Sequence, residues 1–593
     1  MHTRSPILVL LRRGGFAHPR GSLRHLSDRV PSRFTPSERE GINDSHVQNE
    51  FRQGFEQVVS FYGRFIKYTT LSFISLASLV YIGWEGCHQW VEHVELGPPP
   101  SPSDDPYQWA EDLDSWTGAS GSGGTDPKLR YRGRHAVRAA WMALNWSGEP
   151  SLNVIESSVA AGETSGNAFD KQLYNALGHL STALAVAYHT AGESGTNTSD
   201  RDPTVMNLLA LNGTILDRIA SPSALYTAKP MLKRVHNFHL TEGHTNAAAR
   251  LSVKLGDICA RLGENDEAIE WWNCALHSLG VGDLRLHGGP RSQPSNTATP
   301  SPAQQRIIAS ALASLSGHYA STRQFSEARE VETTGLALIA HHLLPSSSPS
   351  SDKVWSSDAT LHQLFLYNRA TVLLMHLAEV TFAQEKPPSS SILPATSLWL
   401  KWGFGWSSRR QGQQPSTQEK ADMSVEMAAL QGSALSAEQI CDILTNPPDP
   451  VVAARALHAV GMTLMRGMHP TTPTPVSAGR GDSTALSSSP TSISAQPNTP
   501  LHPSFSKSRT LSKPSTILLR QSKRIAAQSL QLRGILFEKR GEPTEAMEEY
   551  EKALAWAGGG SDGRTGTDAI EGEWKGIWER YVKVRERVLN KGG

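Results

Sequence analysis

LSVKLGDICARLGENDEAIEWWNCAL, residues Leu251–Leu276, is the stretch that decides the fold of this chain. Two runs with helical periodicity flank a turn at Gly263-Glu-Asn. The small residues Gly256 and Ala268 fall where two antiparallel helices would touch, and only small side chains fit such a contact. Trp272 is large enough to fill the wedge toward the next structural unit. The stretch therefore predicts a hairpin of two closely packed helices.

The same pattern returns near the end of the chain, in LRGILFEKRGEPTEAMEEYEKALAW, residues Leu532–Trp556. Gly534, Ala546 and Tyr550 take the small and aromatic positions, and Gly541-Glu-Pro makes the turn. Two matches at one spacing indicate a tetratricopeptide repeat, in which stacked helical hairpins share a continuous core. A third, degenerate unit keeps part of this spacing of small and aromatic residues. It has Ser316 in place of the contact glycine and Glu332 in place of the aromatic residue. The residues of that unit which keep the frame are Leu315, Tyr319, Phe325 and Ala328.

Most of the remaining chain is rich in Ala and Leu with helical spacing, and alternation typical of strands is nearly absent. We therefore predict an all-α fold, a tetratricopeptide-like solenoid carried on one N-terminal transmembrane helix. Degenerate repeats would occupy residues 127–468, and a C-terminal repeat with its capping helix would occupy 515–590. Between these regions, residues 469–514 are rich in Ser, Thr and Pro, which predicts a disordered insert.

The uncharged run YTTLSFISLASLVYIGW, Tyr68–Trp84, predicts the membrane span, placed at residues 68–86. Arg64 and Lys67 precede the run and acidic residues follow it, so residues 41–67 should stay on the side from which the chain inserts. A buried core helix is the alternative, although the run has no polar face. Pro-, Ser- and Gly-rich residues 97–126 then predict a flexible tether.

The first forty residues indicate which membrane this is. Met1–Ser27 contains five arginines and several serines but no acidic residue, the composition of a mitochondrial transit peptide, which we assign to residues 1–40. A secretory signal is the alternative, but its apolar stretch would be short and interrupted by Arg12 and Arg13. We therefore expect a single-pass protein of the mitochondrial inner membrane with its body in the intermembrane space.

Composition and motifs give little sign of catalysis. The 593 residues carry a formal net charge of +1, without a basic block beyond the leader that would indicate nucleic acid. The four cysteines form no CxxC pair, and the phosphate-binding, HExxH and GxSxG motifs are absent. His236, His239 and His244, with Glu242, are spaced as metal ligands could be, but a chain with 22 histidines also produces such clusters by chance. We predict a protein that is not an enzyme and needs no cofactor.

Repeats of this type bind protein segments along the concave wall formed by the first helix of each pair. In Leu251–Leu276 and its preceding turn, that wall should present Arg250, Lys254, Asp257 and Arg261. In the last repeat, the corresponding wall should present Gln528, Gln531, Ile535 and Glu538. An ordinary solvated helix face is the equally weighted alternative for the first set.

The order of leader, span, tether and divergent repeats resembles the fungal mitochondrial inner-membrane adaptor of the i-AAA protease. The segment GGTDPKLRYRGRHAVRAAWMALNW, Gly123–Trp146, is also similar to the start of the repeat array in that group. The resemblance implies a protein that captures unfolded or misassembled membrane proteins and delivers them to an AAA protease complex without cleaving them. A structural scaffold or assembly factor for an inner-membrane complex, an outer-membrane import receptor and an anchored metalloenzyme are the other hypotheses.

Overall fold

The computed structural model describes residues 44–98, 101, 103–112, 116, 123–146, 167–193, 201–281, 300–343, 356–384, 417–446, 500–558 and 571–591. The predicted targeting segment 1–40 and most of the predicted disordered insert, 469–499, lie outside these residues. The chain divides into two compact units, Met1–Trp84 and Glu85–Gly593.

The described residues form an all-α structure without a strand, as predicted. Short helical turns also occur at Val91–Glu95, Trp109–Asp112 and Pro127–Leu129. The helices, in chain order, are α1 Asp44–Trp90, α2 Arg130–Asn145, α3 Asn167–Glu193, α4 Pro203–Ile219, α5 Pro222–Thr241, α6 Thr245–Leu262, α7 Asn265–Ser278, α8 Pro302–Ser321, α9 Phe325–Leu343, α10 Ser357–Gln384, α11 Thr417–Thr445, α12 Pro503–Ser506, α13 Ser512–Arg540, α14 Pro543–Trp556 and α15 Glu571–Lys591.

Helix α1 is the one described helix that is long and apolar enough to cross a membrane. It contains 47 residues, and the mean hydropathy of its most apolar window is 1.5. None of that window is buried against the protein, so large apolar side chains such as Leu79 and Ile82 are exposed. A core helix would hide these side chains, which disfavours the alternative of a buried soluble helix.

From α2 onward, the helices pack in the order in which the chain makes them. Each long helix contacts the next one, from α2 against α3 through α14 against α15. In the middle of the body, α6 also packs on α8, α8 on α10 and α10 on α13, so the first helices of successive pairs form a continuous row. Contacts that reach only near neighbours are typical of stacked helical hairpins.

Three hairpins share one internal contact. A Cβ on Gly256 would lie 2.5 Å from the indole nitrogen of Trp272, and a Cβ on Gly534 would lie 2.7 Å from the ring of Tyr550. In the degenerate hairpin, the hydroxyl of Ser316 instead donates a 2.9 Å hydrogen bond to Glu332. The predicted small-residue positions Ala268, Ala546 and Ala328 are all fully buried.

The sequence predicts that the side chain of Trp272 fills the space toward the next unit, and its observed packing agrees only in part. Its indole lies over Gly256 of its own hairpin, and its outer edge meets His318 of α8, with ring centroids 5.2 Å apart. The turns also correspond: Gly263 and Gly541 end α6 and α13 with φ of 80°, and Arg323 adopts the same left-handed conformation with φ of 64°. Because that conformation favours glycine, Arg323 concealed the third turn from sequence inspection.

Two of the predicted flexible regions contain buried residues. The predicted tether 97–126 contains Trp109, which is 1% exposed and belongs to the main core, and Thr125, which is buried and bonded to Glu92. Residues 500–514 of the predicted disordered insert are described by the structure, and Phe505 and Leu511 among them are buried. Large apolar residues in a Pro- and Ser-rich background thus dock on the helices because burying them is favourable.

The buried carboxyl group of Glu332 predicts an unusual pH dependence of stability. Burial raises the pKa of Glu332 to about 8, and nearby Glu379 raises it further. Because the folded pKa is raised, the stabilisation is complete below the unfolded value of 4.5 and is lost as the pH rises through about 8. We expect Glu332→Gln to raise the free energy of unfolding at pH 8 by roughly 2–4 kcal/mol, with little gain at pH 4.5.

Chemical denaturation of the purified full-length protein at several pH values measures this effect. Glu330→Gln, an exposed carboxyl on the same helix, is the matched control and should change little at either pH. Equal effects of Glu332→Gln at both pH values would show that the carboxyl of Glu332 is ionised in the folded state at neutral pH.

Candidate peptide-binding groove

A groove of about 1410 Å³ runs along the row of first helices in the body. Residues of α4, α6, α8, α10 and α13 line it, together with a few residues of α5 and α7. The volume exceeds the range of about 300–1,000 Å³ typical of small-molecule pockets. Its size and its position on repeated helices fit an extended peptide better than a small metabolite.

Helix α6 places all four of its predicted wall residues in this groove, because their spacing puts them on one helix face. Arg250 reaches Asp112 at 3.0 Å, and the ammonium of Lys254 donates to Thr214 at 3.0 Å. Arg261 pairs with Asp217 of α4. These three side chains therefore have partners within the protein.

Asp257 is the one predicted acidic residue of this wall. Its carboxylate accepts a 3.1 Å hydrogen bond from the indole nitrogen of Trp272. Burial raises the pKa of Asp257 to about 6, against the opposing effect of hydrogen bonds from Ser314 and Trp272. With a pKa of about 6, this carboxyl is mostly ionised at neutral pH and takes up a proton as the pH falls through about 6.

The second predicted wall does not belong to the groove. Gln528, Gln531 and Glu538 are not among the residues that line it. Glu538 instead accepts a 2.6 Å hydrogen bond from the hydroxyl of Tyr550 and pairs with Arg587 of the last helix. Ile535 is buried between the helices. The structure thus brings together the first four predicted residues and separates them from the later set.

Helix α8 contributes a stretch of groove wall that the sequence reading missed. Ser316 occupies in α8 the place that Gly256 occupies in α6. The four α8 residues that correspond to the α6 wall residues can therefore be found by counting from Ser316, and all four line the groove. These positions are Ser310, Ser314, Gly317 and Ser321. Because their side chains are small, this part of the wall leaves the helix surface accessible. The repeat frame itself was the signal that could have found them.

Three further cations in the groove had no local signal, namely Arg306 of α8, Arg369 of α10 and Lys513 of α13. With the three basic residues of α6, the described residues that line the groove include six cationic side chains and three carboxylates. These carboxylates are Asp112, Asp217 and Asp257. The lining is therefore positive overall, although the net charge of the whole chain is only +1.

The segment Tyr107–Asp112 packs against the helices of the groove, and its Trp109 and Asp112 form part of the lining. Trp109 inserts its ring beneath Arg306, whose guanidinium carbon lies 4.0 Å from the ring centroid. Arg306 also donates to Asp112 at 2.6 Å and to the backbone oxygens of Tyr107 and Gln108 at 2.9 and 3.0 Å. Part of the predicted tether is therefore held at the groove by Arg306, and we call this segment the internal ligand.

The histidines weighed as metal ligands do not form a compact set. No three ligand atoms of His236, His239 and His244 lie within 4.8 Å of one another, whereas Cys259, Glu264 and Glu267 do. In that second set the ammonium of Lys229 lies 2.5 Å from Glu264 and 2.6 Å from Glu267. Burial alone would lower the pKa of Lys229, but both carboxylates raise it, so Lys229 stays protonated. Its ammonium group therefore lies between the two carboxylates where a metal ion would otherwise bind.

Comparison with known proteins gives no functional assignment. No protein-family model matches the chain, and no curated protein matches it. One solved structure, the crystal structure of BtubC (BKLC) from P. vanneervenii, is 14% identical and covers 46% of this chain and 100% of that chain, with a TM-score of 0.22. A likeness this weak carries no argument about fold or function.

Proposed function

We propose that this protein is a membrane-anchored adaptor whose tetratricopeptide-like repeats capture protein segments in the groove and pass them to an AAA protease. The observation that carries the proposal is the internal ligand: the groove holds Tyr107–Asp112 through backbone carbonyls, an aromatic ring and a carboxylate. The backbone carbonyls are available from any extended polypeptide, whereas the ring and the carboxylate depend on its sequence.

The recurrent hairpin contact supports the repeat assignment. In each of three hairpins, a small residue of the first helix contacts a larger residue of the second helix. The pairs are Gly256 with Trp272, Ser316 with Glu332 and Gly534 with Tyr550. The groove lies on first helices, where stacked repeats bind their partners. We assign no catalytic residue and no cofactor to this function.

We further propose the mitochondrial inner membrane as the location, with α1 as the single span and the body in the intermembrane space. The apolar surface of α1 and the Arg-rich leader support this location. Protease treatment of intact mitochondria and of mitoplasts checks it: the body should be digested only after the outer membrane is opened. Digestion in intact mitochondria would instead indicate an outer-membrane import receptor.

Affinity purification of the tagged full-length protein from solubilised inner membranes tests the adaptor function. The wild-type protein should bring down an AAA protease together with substoichiometric client proteins. Ser310→Trp fills the groove from α8, so it should strongly reduce client recovery; Ser326→Trp, on the exposed surface of α9, is the matched control. Recovery of a stoichiometric respiratory or cristae complex without any protease would favour the scaffold hypothesis instead.

A further inference from the structure

We propose that the groove selects acidic segments that carry an aromatic residue, using the chemistry with which it binds its own Tyr107–Asp112. This inference rests on the proposed function and specifies the class of client that the adaptor would capture. The partner is a polypeptide with carboxylates close to a Trp, Tyr or Phe, and not simply any unfolded chain.

The internal ligand shows how such a segment is recognised. Trp109 is 1% exposed, and its indole nitrogen donates to the backbone oxygen of Asp358 at 3.2 Å. Three residues later, each carboxylate oxygen of Asp112 meets a different arginine: Arg306 of α8 at 2.6 Å and Arg250 of α6 at 3.0 Å. Arginines from two adjacent first helices therefore share the carboxylate of Asp112, and one of them, Arg306, also stacks on the ring of Trp109. Arginine suits this task because it stacks on rings and donates several hydrogen bonds at once.

The rest of the groove continues the same chemistry beyond this segment. Lys254 and Arg261 lie farther along α6, while Arg369 and Lys513 approach from α10 and α13. Arg369 also lies over the ring of Phe365, with its guanidinium carbon 5.0 Å from the ring centroid. Cations beside aromatic surface are thus repeated along the groove. A second acidic and aromatic segment would find complementary charge there, and a basic segment would be repelled.

The contributions of the two remaining carboxylates agree with this preference. Asp217 is paired with Arg261, and Asp257 is turned toward Trp272 with its pKa raised by burial. Neither carboxylate outweighs the cations around it. The serines and glycine of α8 leave room above the wall for the backbone of the incoming segment.

A fluorescence anisotropy titration of the full-length protein in detergent tests the inference. The probe is a fluorescein-labelled peptide of sequence DEWDEYDEW. Two comparison peptides replace each Asp and Glu with Asn and Gln, or with Lys. We expect the acidic peptide to bind, the neutral one to bind at least about tenfold more weakly, and the Lys peptide not to bind, with affinity falling as salt is added.

The variant Lys254→Gln/Arg369→Gln/Lys513→Gln should weaken binding of the acidic peptide by about tenfold or more, because three partly exposed charge contacts are lost. Lys575→Gln/Lys583→Gln/Arg585→Gln changes the net charge equally on exposed α15 and should retain wild-type affinity. Circular dichroism of both variants checks that their helices are intact.

Three outcomes would overturn the inference. Equal binding of the neutral and acidic peptides would show capture without charge selection, which leaves the adaptor function standing. Equal losses in the two triple variants would show a bulk charge effect. Binding of phosphatidylglycerol vesicles by the groove in place of the peptide would indicate a lipid site. Failure of the adaptor function itself would appear separately, as the absence of protease and clients from the purification.

Discussion

Trp272→Ala is expected to lower the free energy of unfolding by about 3–5 kcal/mol, the usual range for a buried tryptophan. Trp272 is 1% exposed, and its ring fills the space that Gly256 leaves open in the hairpin. Its removal also takes the indole hydrogen bond away from Asp257, a half-buried carboxylate in the groove. The substitution therefore creates a cavity and leaves a polar group without its donor at the same place.

Denaturant unfolding followed by circular dichroism measures the change. Trp146→Ala is the matched control, because Trp146 is 46% exposed and its removal should cost less than about 1 kcal/mol. A loss for Trp272→Ala as small as that for the control would mean that the hairpin Thr245–Ser278 is not packed as described.

Arg306→Met should have the second large effect, a loss of about 3–5 kcal/mol from breaking a buried ion pair. Arg306 is 2% exposed and makes the contacts that hold Tyr107–Asp112 in the groove. Its removal leaves Asp112 with Arg250 alone and frees two backbone oxygens that lose their donor. We therefore expect both lower stability and release of this segment.

Limited proteolysis with hydrogen exchange separates these two consequences. In Arg306→Met, cleavage and exchange at residues 103–112 should increase well before the helices unfold. Arg587→Met removes a surface pair with Glu538 whose arginine is 51% exposed, and it should cost less than about 1 kcal/mol without exposing the segment. Unchanged protection of residues 103–112 in Arg306→Met would refute their role as an internal ligand.

Local pattern was enough to predict the helical hairpins. Each hairpin can be recognised from residues close together in the sequence. Gly256 and Ala268 mark the helix contact and Gly263 marks the turn, all within one hairpin. The α6 wall followed for the same reason, since four side chains at helical spacing share a face. The Gln528 to Glu538 set lies outside the groove, and its Glu538 bonds to Tyr550 of α14 and Arg587 of α15, contacts that the local pattern does not contain.

Long-range contacts account for what was missed. Arg306 and Asp112 are separated by 194 positions, and nothing local to either residue indicates their pairing. Trp109 lies in a stretch whose Pro, Gly and Ser content is typical of a linker, yet its ring is buried in the core. Composition averages over a segment, whereas burial depends on individual side chains.

The central claim, that the groove captures client proteins, is tested most directly by site-specific photocrosslinking. A photoreactive amino acid would replace Ser310 on the groove wall or, as the control, exposed Lys583 on α15, and the full-length protein would be irradiated in intact mitochondria. The account predicts client crosslinks from position 310 that are absent from position 583, and that decrease when an acidic aromatic peptide is added to mitoplasts. Client crosslinks of equal yield from both positions, or none from position 310 while clients still co-purify, would contradict it.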